Sequence, residues 1–107
     1  GFVALVLALE RIREKQLIRT IPILDYVAAT SVGIVDGTPI LDLAYEEDAR
    51  AQVDMNVVKT GDARFVEVQG TAEGQPFSKT RLDQVLSLSE KGIAQLFQDQ
   101  KDAIKGL

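Results

Sequence analysis

The fold class this sequence predicts is two-layer α/β (α+β): a helix, four largely antiparallel strands, and a second helix. Three observations predict it. Apolar residues recur at helical spacing near both ends of the chain, the middle alternates with a period of two, and two turn signals divide that middle into hairpins. Residues 1–107 read as a single domain, long enough for a core of its own, and a 46% hydrophobic content argues against disorder.

Phe2, Leu5, Val6, Leu9 and Ile12 follow the i, i+3, i+4, i+7 recurrence and predict a helix over residues 2–17. Its first half, with Val3 and Leu7, is apolar on nearly every face and is expected to be buried. Its second half carries Glu10, Arg11, Arg13, Glu14 and Lys15 and reads as a wet face. Nothing ahead of it can cap its amides, which points to a longer protein or to a companion chain. The opening run is too short for a membrane span, which needs about 20 apolar residues, and it lacks the marks of a secretory signal.

Pro22 ends any helix. The run "YVAATSVGIV" (26–35), the turn Asp36-Gly37 and "TPILDL" (38–43) predict the first hairpin. In "QVDMNVV" (52–58), Val53, Met55 and Val57 fall on one face and Asp54, Asn56 and Val58 on the other. "TGDAR" (60–64) then turns the chain into "RFVEVQGT" (64–71), where alternation sets Val66 and Val68 opposite Phe65, Glu67 and Gln69. Ser78 is placed to cap a final helix whose stripe is Leu82, Val85, Leu86, Ile93, Leu96 and Phe97. Arg81 stands where a capping box would have an acid.

Composition narrows the chemistry. With no histidine and no cysteine, imidazole and thiolate catalysis are excluded, leaving carboxylates, lysine, arginine, hydroxyls or a bound ion. The absence of cysteine fits a reducing, cytoplasmic setting. A net charge of −4 argues against a plain nucleic-acid-binding module. Against that background, "AYEEDARAQVDMNVV" (44–58) gathers Glu46, Glu47, Asp48 and Asp54, the last inside a strand that otherwise reads as buried. A loop followed by a strand can bring Asp48 and Asp54 together at the sheet's end. Two such carboxylates can hold Mg²⁺, or one can act as a general acid with its affinity for a proton raised by the other. The alternative is a solvated acidic loop and an exposed Asp54 beside Asn56. Asp42 reads as a turn or cap residue, Thr30 and Ser31 as strand hydroxyls serving packing, and Arg50 as a surface partner of Glu46 or Glu47.

The segment "IRTIPILDYVAATSVGIVDGTPILDLAYEEDARAQVDMNVV", followed by "VEVQGTAEGQPFS" and an amphipathic helix, resembles the C-terminal part of bacterial ribonuclease PH. The resemblance runs from residue 1 to about residue 100 and implies the C-terminal part of that fold without its N-terminal half. It further implies a phosphate-dependent 3′→5′ exoribonuclease, or tRNA nucleotidyltransferase, that trims the 3′ ends of tRNA precursors and releases nucleoside diphosphates. Inorganic phosphate is then a co-substrate and Mg²⁺ the expected ion. The implied assembly is a homo-oligomeric ring of dimers, a hexamer. On this sequence the family's catalytic acids fall on Asp54, as metal ligand or general acid, and on Asp48 in support. The family's phosphate-binding Gly-Thr-Arg segment should lie just before Gly1 and is not among the 107 residues. Two readings follow: the acid-bearing part of a phosphorolytic ribonuclease, or a non-catalytic, self-associating or scaffold fragment of that fold.

Overall fold

The computed structural model describes residues 1–41 and 51–105. Among them are two helices, α1 (Phe2–Glu14) and α2 (Lys79–Ala103), and four strands, β1 (Val27–Val35), β2 (Thr38–Leu41), β3 (Val53–Thr60) and β4 (Phe65–Ala72). The strands form one sheet in the order β2-β1-β3-β4, antiparallel throughout. The predicted architecture is the one observed.

Each hairpin has a local cause. Asp36 and Gly37 both adopt positive φ, 51° and 79°, as a two-residue turn matched to the twist of its strands requires. The Asp36 backbone tolerates this because aspartate is among the few side chains that visit the left-handed region. Val35 therefore pairs with Thr38, and Val32 with Leu41. At the second turn, Asp25 reaches across from the start of β1: its carboxylate accepts from the backbone N–H groups of Tyr26 (2.7 Å) and Asp62 (3.1 Å). Gly61 leaves room for that carboxylate, which a Cβ there would strike. Replacing Gly61 by Ala is expected to displace Asp25 and cost about 2 kcal/mol, the scale of lost hydrogen bonds to a charged group. Urea denaturation would register it as a lower midpoint with an unchanged slope.

The core lies between the sheet and α2. Ala28, Val32 and Ile34 of β1 and Val53, Met55 and Val57 of β3 meet Val85 and Ile93 of α2. The fully buried Ser89 sits at that contact and donates to the Leu86 carbonyl at 2.7 Å. Lys59 continues the inward face of β3 and is buried there. Its ammonium lies 3.4 Å from Glu90 and 4.8 Å from the centre of the Phe65 ring.

That last contact corrects the simple alternation expected of β4. Glu67 opposes Val58, but Phe65 opposes Lys59, so Val66 is an extra residue in a β-bulge. The bulge brings Phe65 to the same face as Val68, which opposes the inward-facing Val57.

The ends of the helices also depart from expectation. Ser78 does cap α2, accepting from the Arg81 N–H at 3.1 Å. The Arg81 guanidinium instead donates to the Gly37 carbonyl and to Gln84, both at 3.2 Å, tying the helix start to the first hairpin turn. Replacing Ser78 by Ala should cost about 1 kcal/mol, readable as a small fall in thermal midpoint. Helix α1 starts without a side-chain cap, as expected, and stops at Glu14, because Gln16 adopts a positive φ of 62°. Its first half is not buried in this chain: Val6 and Glu10 are, whereas Leu5 and Leu7 are 51% and 45% exposed. The helix stands off the sheet and touches α2 near its far end. The molecule is accordingly elongated, 55 × 26 × 19 Å with a radius of gyration of 17.0 Å.

Candidate active site

Asp54 is the second residue of β3, in a central strand. Period two sends its neighbours Val53 and Met55 toward α2 and Asp54 to the opposite face. In register it is flanked by Gly33 of β1 and Thr71 of β4. One step along the same face, Asn56 is flanked by Ser31 and Gln69. The result is a patch of small and polar groups on the sheet surface away from the core. Asp54 itself is half-buried.

Such a setting gives an acid two capacities. A half-buried carboxylate keeps access to a ligand while losing part of its hydration, which strengthens its interaction with a cation or a transferring proton. The strand backbone, hydrogen-bonded on both sides, fixes where the carboxylate starts from. An all-oxygen set of carboxylate, amide and hydroxyl is the donor chemistry that suits Mg²⁺. Among the described residues, no three acidic groups converge as a complete metal cluster. A site built on one or two carboxylates plus waters and substrate phosphate, the usual pattern for this ion, needs none.

Asp48, the second predicted acid, lies outside the described residues, as do Asp42, Glu46, Glu47 and Arg50. Thr30 is buried on the α2 side of β1 and Ser31 lies on the Asp54 side. Sequence reasoning had not singled out Thr71 or Gly33. Both are placed beside Asp54 only by strand pairing, a signal that no local spacing carries. The exposed turn at the far end of β3 holds another ordered acid. The Thr60 hydroxyl donates to Asp62, and this bond, aided by the Arg64 charge, holds the Asp62 carboxyl below its ordinary value.

A two-layer antiparallel α+β fold with an acid projecting from a central strand defines the class, and the sequence match agrees with it. The chain belongs to the 3′ exoribonuclease family: residues 25–92 match domain 2 of that family. Three of the relatives it matches are each called ribonuclease PH. It is 60% identical to that of Syntrophomonas wolfei over 101 residues, 94% of this chain and 42% of the relative. It is 52% identical to that of Solibacter usitatus over 106 residues, 99% of this chain and 44% of the relative. The ribonuclease PH of a Synechococcus strain is 49% identical over 103 residues, 96% of this chain and 42% of the relative. The chain thus spans about two fifths of the length of these relatives. No described helix is long and apolar enough to cross a membrane.

Proposed function

We propose that this chain carries the acidic part of a phosphate-dependent 3′→5′ exoribonuclease site, acting on the 3′ ends of tRNA precursors and other RNA. The observation that carries the reading is Asp54: a half-buried acid in a central strand, turned away from the core, within a chain of the 3′ exoribonuclease family.

In this reaction an oxygen of inorganic phosphate attacks the phosphorus of the terminal linkage. The bond from that phosphorus to the 3′ oxygen of the preceding nucleotide breaks. The terminal residue leaves as a nucleoside diphosphate, and the released 3′ oxygen takes up a proton. Asp54 serves by donating that proton or, ionised, would be the residue that holds Mg²⁺, with Asp48 in support. When bound, Mg²⁺ supplies charge neutralisation for the phosphates. Both roles fit a reaction that depends mainly on positioning and electrostatic stabilisation.

Residues 1–107 act in it as one domain, and phosphate is captured by a Gly-Thr-Arg segment that is not among them. The proposed assembly is a ring of dimers in the cytoplasm. The test is release of nucleoside diphosphates from a 3′-tailed tRNA with phosphate and Mg²⁺. It compares this chain with its Asp54→Asn variant, each alone and after adding the N-terminal part of the Syntrophomonas wolfei relative. Phosphate-dependent release that disappears in the variant supports the proposal. No release from the complemented chain sinks it.

A second reading, a self-associating or scaffold fragment without catalysis, is favoured by one feature: the half-exposed apolar residues Leu5 and Leu7 of α1. Light scattering that gives a multiple of the 11.7 kDa chain mass, with no release after complementation, would select it.

A further inference from the structure

Half a molecule away from Asp54, the chain reverses its charge. The second half of α1, the segment entering β1 and the end of α2 enclose an open cleft of about 620 Å³. Arg13, Arg19, Lys101 and Lys105 line it, and Glu10 is the only carboxylate among the described residues of its lining. Glu10 is buried and already committed: Arg13 donates to it through two nitrogens, Nε at 3.1 Å. That bond and the charge of Glu10 hold the Arg13 guanidinium even more firmly protonated than usual. The described residues of the lining therefore carry a net charge of +3, in a chain whose net charge is −4.

Arg19, Lys101 and Lys105 make no ion pair with a described residue. Three like charges around one concavity repel one another, and an anion spanning them relieves that repulsion. Tyr26 adds a second chemistry. Its ring is braced by Phe2 and Phe97, at 5.1 and 6.3 Å between centres, and the Lys101 ammonium lies 5.7 Å from its centre. A fixed aromatic ring beside cations is the combination that binds single-stranded nucleic acid, bases by stacking and backbone by charge.

We propose that this cleft binds the phosphate backbone of single-stranded RNA, with Arg19, Lys101 and Lys105 on phosphates and the Tyr26 ring against a base. That the polyanion is RNA rests on the function proposed above. Tyr26 adjoins Val27, and Gly33, the partner of Asp54, lies six steps along β1 from Val27. At about 3.3 Å per residue the cleft lies about 20 Å from the acid. It therefore holds the body of the RNA and not the linkage being broken.

The experiment is fluorescence anisotropy of a labelled oligouridylate titrated with the chain at several salt concentrations. Its variants are Arg19→Ala/Lys105→Ala in the cleft and Lys79→Ala/Lys91→Ala elsewhere on α2, with circular dichroism to check folding. Removing two phosphate contacts should weaken binding about tenfold and flatten the log–log salt slope by about 1.4, at about 0.7 per contact on single strands. The Lys79/Lys91 pair should leave both unchanged. Equal weakening by both pairs, no weakening by the cleft pair, or binding to anionic lipid vesicles but not to RNA would overturn the proposal. Asp54→Asn separates the two claims. If the cleft pair binds like wild type while Asp54→Asn still abolishes phosphorolysis, the cleft fails and the function stands. If the cleft binds RNA but no phosphorolysis appears after complementation, the function fails and the cleft remains an RNA site.

Discussion

The Asp54→Asn chain, complemented with the N-terminal part of a ribonuclease PH relative, is expected to lose at least a hundredfold in nucleoside diphosphate release. Its fold and RNA affinity should be unchanged. Asparagine preserves the shape and can hydrogen-bond from the same place, so the strand and its neighbours Gly33 and Thr71 have no reason to move. What it cannot do is donate an acidic proton or carry a negative charge to a cation. Positioned acids contribute about 10²–10⁴ in rate, and that range sets the expected loss. The two roles are separable. If Asp54 holds Mg²⁺, raising the ion concentration should restore part of the activity of an Asp54→Glu variant. If it donates a proton, ion concentration should make no difference, and the alkaline limb of the pH–rate profile should shift instead.

Met55→Ala is expected to be the most damaging single truncation for stability, at about 3 kcal/mol within the 2–5 kcal/mol observed for such core deletions. Met55 is 1% exposed, in a central strand, paired with Val32 on one side and Gly70 on the other. Its side chain runs over Gly70, since a Cβ placed there would lie 2.9 Å from the methionine methyl. Removing it empties the space beside Gly70, where the Phe77 ring is the nearest other side chain. Folded domains hold only about 5–15 kcal/mol in all, so the variant should melt more than about 10 °C lower. Met55→Leu, which nearly keeps the volume, should cost less than about 1.5 kcal/mol. Thermal denaturation followed by circular dichroism decides. A Met55→Ala midpoint within a degree or two of wild type would show that the core is looser there than its burial indicates.

These two residues are neighbours in sequence, and they show what the sequence made legible. Alternation assigned Met55 inward and Asp54 outward, and Asp36-Gly37 announced its hairpin, because both signals are local. Ser78 was equally plain as a cap. Long-range pairing was not. The bulge at Val66 depends on how β4 fits Lys59, and Lys59 is kept buried by Glu90, which is far along the chain. A lysine closing a strand otherwise looks like a residue reaching for water. The exposure of Leu5 and Leu7 was missed for a related reason: an apolar helix announces that it needs cover, not whether this stretch of chain supplies it. Asp54's placement was thus readable, whereas its chemistry was not. An acid on the outer face of a strand has the same spacing whether it serves catalysis or solubility, and family membership gives the catalytic reading its weight.

The outlying position of α1 bears on how this chain will travel in solution. A compact chain of this length would have a radius of gyration of about 13 Å, against the 17.0 Å found here. Drag follows shape as well as mass, so a lone copy should leave a sizing column early, where a heavier globular standard would elute. Elution volume alone would then make one copy look like several. An absolute mass from light scattering and a sedimentation coefficient, taken together, would tell a long monomer from a short oligomer.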